Sequence, residues 1–235
     1  MILRPLRAME PEVRRVIAAT MAVNVAVGIF GISFGVASIA AGADVLQTCA
    51  LSFFTFTGAS QFSAMSVVGA GGTATAAFGG AAILAARNFV YGLAMSRMLH
   101  FKRPTVPKRL LAAHFIIDES TALASAETDD RLRRIAFWST ALGLFIFWNL
   151  GTLLGAMLGG AIDPEVWGLD VAFPAVFVAM LGAHLRTRRG RVAAALGALI
   201  FVVLVPILPI GVPILAAATA VLVGAWPDSR RRSAT

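Results

Sequence analysis

The sequence predicts an all-α polytopic transmembrane helix bundle of about seven or eight membrane segments. Residues 1–235 form a single integral-membrane domain with short basic tails at both ends. Three observations carry this reading. Hydrophobic residues make up 58% of the 235-residue chain without its 22 glycines, and charged residues 14%. Soluble domains run at about 45–50% apolar with glycine included and about 25% charged, so a soluble surface could not be covered. Apolar stretches recur at spanning length, about 17–25 residues. Basic residues sit in blocks between those stretches, as they do in cytoplasmic loops. The same composition excludes a disordered chain, which lacks apolar residues.

The segments follow in order. They run about Val16–Ala41, Val45–Val68, Thr73–Ser96, a mixed stretch Leu110–Ala126, then Ile135–Leu158, Val171–Leu185, Val192–Leu208 and Val212–Trp226. In lipid such runs are helices, because only a helix or closed barrel satisfies its own backbone. The first is too long for the apolar core of a signal peptide, about 7–15 residues, and reads as a retained helix. Arg4, Arg7, Arg14 and Arg15, the cluster 131–134, the cluster 186–191 and the tail 230–232 favour the cytoplasm. The acidic loop Asp163–Asp170 then faces outward. One block resists: three crossings before Arg97 would put Lys102, Arg103, Lys108 and Arg109 outside. Either that loop is an exception and Leu110–Ala126 crosses, giving eight spans, or a segment is re-entrant. Eight is favoured. Trp138, Trp148, Trp167 and Trp226 read as interfacial belt residues. Gly31 and Gly35 recur as Gly151 and Gly155, displaced by 120 residues, a trace of a possible internal repeat of the kind transporters carry.

The net charge of +8 would point to nucleic acid in a soluble protein. Here it is spent on orientation, and nucleic acid is not a partner. The one cysteine, Cys49, excludes an internal disulfide or multi-cysteine metal site, and the three histidines are scattered. No nucleophile elbow surrounds Ser60, and no lysine follows the glycine runs. The chain therefore reads as no enzyme, with no catalytic residues, no metal and no cofactor.

The polar residues inside apolar segments carry the functional reading. Gly28, Gly31 and Gly35 either let helices approach closely or mark a helix unwound around a substrate, with Phe30 and Phe34 at the break. Thr55, Thr57, Gly58, Ser60, Gln61, Ser63 and Ser66 are too small and polar for a lipid-facing helix. They either bond neighbouring helices or line a site, and a break at Gly58 would free backbone amides for an anionic group. Arg87 sits deep in its segment, with Asn88 beside it and Tyr91 one turn on. A charge at mid-bilayer costs about 2.5–3.5 kcal/mol on insertion scales, so it needs a partner. That partner is a protein carboxylate or a substrate carboxylate, which guanidinium matches bidentately. Asp118 and Glu119, with His114 one turn before, form either a solvated helix face or an embedded proton-exchanging site. Phe30, Phe34, Phe56 and Phe62 could supply an apolar pocket.

The blocks Phe30-Gly31-Ile32-Ser33-Phe34-Gly35, Phe56-Thr57-Gly58-Ala59-Ser60-Gln61-Phe62, Ala86-Arg87-Asn88-Phe89-Val90-Tyr91 and Ile117-Asp118-Glu119-Ser120 occur in this order. Asn149-Leu150-Gly151-Thr152-Leu153-Leu154-Gly155 and Gly168-Leu169-Asp170-Val171-Ala172-Phe173-Pro174-Ala175 follow. The ordered set resembles the AzlC family, the large subunit of bacterial branched-chain amino acid exporters, over nearly the whole chain. The resemblance implies a multi-pass protein of the bacterial inner membrane that exports leucine, isoleucine, valine and sometimes methionine. It also implies a small AzlD-type hydrophobic subunit and coupling to protons. The expected substrate-binding set is Phe30, Gly31, Phe34, Gly35, Gly58, Ala59, Ser60, Gln61, Phe62, Arg87, Asn88 and Tyr91. The expected proton-coupling set is His114, Asp118 and Glu119. The alternatives are a transporter of another small zwitterion or organic acid, and a structural or regulatory membrane subunit.

Overall fold

The computed structural model describes residues 10–99, 105–159, 161, 178, 181–182, 185–209 and 212–220. The acidic loop Asp163–Asp170, the block Gly168–Ala175, most of the stretch 171–185, His100, His184, Trp167, Trp226 and the tail 230–232 lie outside them. The described residues contain helices and no strand. In chain order the helices are α1 (Pro11–Ala40), α2 (Val45–Phe54), α3 (Gly58–Gly69), α4 (Ala74–Met98), α5 (Val106–His114), α6 (Asp118–Ser125), α7 (Asp130–Leu158), α8 (Arg188–Leu204) and α9 (Val212–Ala218). Three of these, α1, α4 and α7, are long and apolar enough to cross a membrane.

Helices α1 and α7 form the spine. They run parallel, because contacts advance together from Glu10–Arg131 through Asn24–Ser139 to Ile39–Gly159. Glycine permits the approach. A Cβ on Gly31 would lie 2.6 Å from the Trp148 carbonyl oxygen, and one on Gly151 would lie 2.5 Å from the Gly28 carbonyl oxygen. Gly35 faces the Thr152 carbonyl in the same way, and Gly155 the Ile32 carbonyl. A shift of 120 residues turns each of these contacts into its partner: 31 to 148 becomes 151 to 28, and 35 to 152 becomes 155 to 32. The glycine echo in the sequence is thus a local two-fold relation in space, with its axis along the helices. Small residues drive such contacts in lipid, where apolar surface alone gives no preference for a neighbour. Helix α1 is continuous from Pro11 to Ala40, so of the two readings of its glycines the structure shows packing and no unwound segment.

The stretches 45–68 and 110–126 do not cross as single helices, which corrects two of the eight expected spans. Helix α2 leaves the end where α1 stops, reaches a break at Thr55–Thr57, and α3 returns until Gly69 packs against Ala41. That is a re-entrant hairpin. Its outer arm is pinned by hydroxyls: Ser38 Oγ to Thr48 Oγ1 at 2.8 Å, and Ser52 Oγ donating to Thr152 Oγ1 at 3.2 Å. Helix α4 then crosses back, and the Met98 carbonyl accepts from Arg133 at the basic end of the bundle. From that end α5 climbs to Phe115, and α6 returns to Ser125 beside Met98. This second hairpin enters from the opposite side. It leaves Arg97, Lys108 and Arg109 on the same side as Arg14, Arg15 and the 131–134 cluster, so for these described residues the conflict in the charge pattern disappears. Helices α8 and α9 form an antiparallel pair with Gly197 near Ala217 and Ala220, and α9 packs on α4 through Leu215 and Gly79. The turn between them holds Pro206 and Pro209.

Candidate functional site

The two re-entrant hairpins point their tips at each other. Between them lies a cavity of about 140 Å³. A hole of roughly 10–15 Å³ on the same measure holds one water, so this space takes a small organic molecule. Its walls come from α1 (Val27, Phe30), the first tip (Phe56 to Ala59, with Phe62), the second tip (Ile117 to Glu119), α7 (Leu144, Trp148) and Arg87 of α4.

Each tip is built locally. At the first, the chain breaks at Thr55–Thr57, where two β-branched residues stand, and the helix restarts at Gly58, whose missing Cβ leaves room for Trp148. Thr57 provides no side-chain cap, so the leading amides of α3, on Gly58 and Ala59, stand at the cavity wall. Such a helix end favours an anion. Gln61 holds the break: its Nε2 donates to the Thr55 carbonyl at 2.6 Å and the Ser52 carbonyl at 3.3 Å, while its Oε1 accepts from Trp148 Nε1 at 2.9 Å. At the second tip the Ser120 hydroxyl accepts from the Ile117 amide at 3.1 Å and donates to the Phe115 carbonyl at 2.8 Å. Asp118 and Glu119 occupy the first turn of α6, where the helix dipole suits negative charge.

Arg87 crosses the cavity wall from mid-α4 and meets the second tip. Its Nη2 lies 2.6 Å from Asp118 Oδ2, with both side chains about a quarter exposed at 26%. Bonding is incomplete on both sides: Arg87 Nε and Asp118 Oδ1 are buried without a partner, as are Asn88 Oδ1 and Thr121 Oγ1 nearby. Buried polar atoms are normally satisfied, so these mark where a further polar group fits. The Tyr91 hydroxyl approaches the Asp118 carboxylate. Glu119 is half-buried beside the pair.

The structure therefore gathers Phe30, Gly58, Ala59, Phe62, Arg87, Asp118 and Glu119 around one cavity. It places the other expected site residues elsewhere. Gly31 and Gly35 lie against the α7 backbone. Phe34 is fully buried and stacks on Trp148. Ser60 lines a separate crevice between the first hairpin and α4, and Gln61 is buried as the clamp just described. Asn88 and Tyr91 do not line the cavity, though the Tyr91 hydroxyl reaches Asp118, which does. His114 packs among Phe56, Phe115 and Phe145 at ring distances of 5.3–5.9 Å, close to the Phe53 carbonyl. Sequence reasoning missed Trp148, read as an interfacial belt residue but in fact 5% exposed at the cavity. Its position near the middle of the long apolar run 130–158 was the available signal. Val27, Ile117 and Leu144 carry none, whereas Thr57 belongs to the small, polar cluster already singled out in the sequence.

Comparison with known proteins places this geometry. The family description "AzlC protein" matches residues 22–162. The chain belongs to the AzlC family. The matched span runs from within α1 to the end of α7, and so includes both hairpins and the cavity. A Helicobacter pylori (strain ATCC 700392 / 26695) protein described as "Uncharacterized membrane protein" is 24% identical over 177 residues, covering 74% of this chain and 76% of its own. No solved structure matches. Membership in this membrane-transport family agrees with an all-helical bundle whose helices α1, α4 and α7 suit a bilayer.

Proposed function

We propose that this AzlC-family protein is a secondary transporter that exports branched-chain amino acids across the bacterial inner membrane. The observation that carries the reading is the cavity itself: a guanidinium and two carboxylates, Arg87, Asp118 and Glu119, share an otherwise apolar space with Phe30, Phe56 and Trp148. A free α-amino acid has the same division. Its carboxylate exchanges with Asp118 at the Arg87 fork, reinforced by the Gly58 and Ala59 amides. Its ammonium goes to the freed Asp118 and to Glu119. Its branched side chain meets the aromatic walls. One methylene in such a pocket is worth about 1–3 kcal/mol, so leucine, isoleucine, valine and methionine overlap as substrates.

Two carboxylates against one guanidinium give the cavity one surplus negative charge, and a bound zwitterion, itself neutral, leaves that surplus unchanged. A proton carried with the substrate has a place there, and in this reading Asp118 or Glu119 is the group that holds it. Alternating access follows as one tip withdraws while the other closes. The reading includes a small AzlD-type hydrophobic subunit. Exposed apolar side chains on α4, Phe78, Phe89, Val90 and Leu93 among them, suit lipid and such a subunit alike. The basic blocks beside the α1 and α7 N-termini support a cytoplasmic position for that end of the bundle.

Counterflow of radiolabelled leucine into proteoliposomes, with and without the small subunit, tests the proposal. Exchange competed by isoleucine, valine and methionine supports it. Exchange of other zwitterions or organic acids but not leucine moves the substrate class. No flux with either preparation favours a structural subunit.

A further inference from the structure

We infer that Trp148, wedged against Gly58, sets the size of substrate side chain that the cavity accepts. The inference rests on the transport reading above and goes beyond it by naming what limits specificity. The indole is fixed on three sides. Nε1 donates to buried Gln61 at 2.9 Å. One face stacks on Phe34, with ring centroids 6.3 Å apart and planes 22° apart. Phe62 meets it edge-on, with centroids 6.4 Å apart. Its remaining side faces the cavity and Gly58, where an added Cβ would stand 2.8 Å from Cη2.

The consequence is a rigid wall. A buried side chain that is hydrogen-bonded and stacked does not move to admit a larger guest, because close-packed interiors transmit strain rather than absorb it. The charged groups at Arg87, Asp118 and Glu119 fix the head group, so the space left before the indole decides how long and broad the side chain can be. Gly58 makes the same point from the other wall: any side chain there takes space from the substrate or from Trp148. Gln61 is a positioning residue. It ties the indole to the Thr55 carbonyl at the hairpin break, so movement of the tip and the shape of the pocket are linked.

The test is counterflow by the full chain with its small subunit in proteoliposomes, competed by alanine, valine, leucine and phenylalanine. Trp148→Phe shortens the wall, and phenylalanine competes at least about 10-fold better relative to leucine. Gly58→Ala narrows the pocket, and leucine weakens about 10-fold relative to alanine. The double variant moves back toward the wild-type order. Gln61→Leu frees the indole and shifts the order in the direction of Trp148→Phe, an effect that loss of fold alone would not produce. If Gly58→Ala does not yield monodisperse protein, Trp148→Phe decides alone. An unchanged order of competitors in Trp148→Phe overturns the inference while leaving the transport reading intact. A wild-type protein that exchanges none of the four amino acids overturns the transport reading itself.

Discussion

Arg87 and Asp118 are 31 residues apart in the chain and meet at 2.6 Å where α4 passes the tip of the second hairpin. The contact joins α4, which lies between the two hairpins in the chain, to the tip of the second hairpin. It also occupies the groups that a zwitterion needs. In the proposed mechanism, substrate entry and release of this contact are the same event.

The chemistry of that contact predicts the effect of conservative changes. Arg87→Lys keeps the charge and loses the planar fork. It is expected to insert normally and lose most leucine counterflow, measured against equal amounts of reconstituted protein. Wild-type flux in Arg87→Ala would remove the pair from the mechanism.

Stability follows separately. Removing one partner of a fully buried ion pair costs about 3–5 kcal/mol. This pair is a quarter exposed, so Asp118→Ala is expected to cost less, roughly 1–3 kcal/mol, read as a lowered melting temperature in detergent. Replacing both partners at once restores part of that loss without restoring transport.

The glycine spine gives a sharper contrast. Gly35→Ala and Gly155→Ala drive a methyl group into backbone carbonyls of the facing helix, and neither carbonyl can turn aside without breaking its own helix. Both variants are expected to lower the yield of monodisperse protein severely. Gly92→Ala, whose nearest neighbour would be 3.9 Å away, is expected to be tolerated. Equal behaviour of the three on size-exclusion chromatography would contradict the parallel α1–α7 contact.

Proton coupling has its own signature. Asp118→Asn and Glu119→Gln keep shape and remove charge. The variant at the coupling residue is expected to exchange leucine down its own gradient but not to be driven by a pH gradient. If both keep full pH-driven transport, the two carboxyls have no coupling role.

The hairpins are open to labelling. In a Cys49-free background, cysteines at Asp44 and Gly71 are expected to react with an impermeant reagent from the same side, and cysteines at Arg97 and Thr128 from the other. A crossing 45–68 segment would put Asp44 and Gly71 on opposite sides.

This last point shows what the sequence made legible. Helices α1, α4 and α7 are plain in it, because each is a continuous apolar run. The hairpins are not, because two half-helices with a short break add up to the length of one span. Their trace was indirect: the Thr55–Gly58 cluster of β-branched and small residues, and basic residues at 97–109 on the wrong side of an eight-span count. The charged part of the site was legible for the opposite reason. Arg87, Asp118 and Glu119 are costly in an apolar setting, so each announced itself. Trp148 and Gln61 did not, since a tryptophan or glutamine gains its role only from the neighbour that folding brings, here each other at 2.9 Å. Gly31 and Gly35 allowed both a packing and a binding reading, and only the facing α7 backbone, which folding brings to them, shows the packing role.

The central claim is that one cavity reads both ends of a zwitterion. Equilibrium binding to the purified wild-type protein tests it most directly, comparing leucine with 4-methylpentanoate, which lacks the ammonium, and isoamylamine, which lacks the carboxylate. Leucine is expected to bind, and each analogue to bind at least about 10-fold more weakly, since a site built for hydrogen-bonded charges strongly rejects a ligand that leaves one unpaired. Either analogue binding as tightly as leucine would contradict the account.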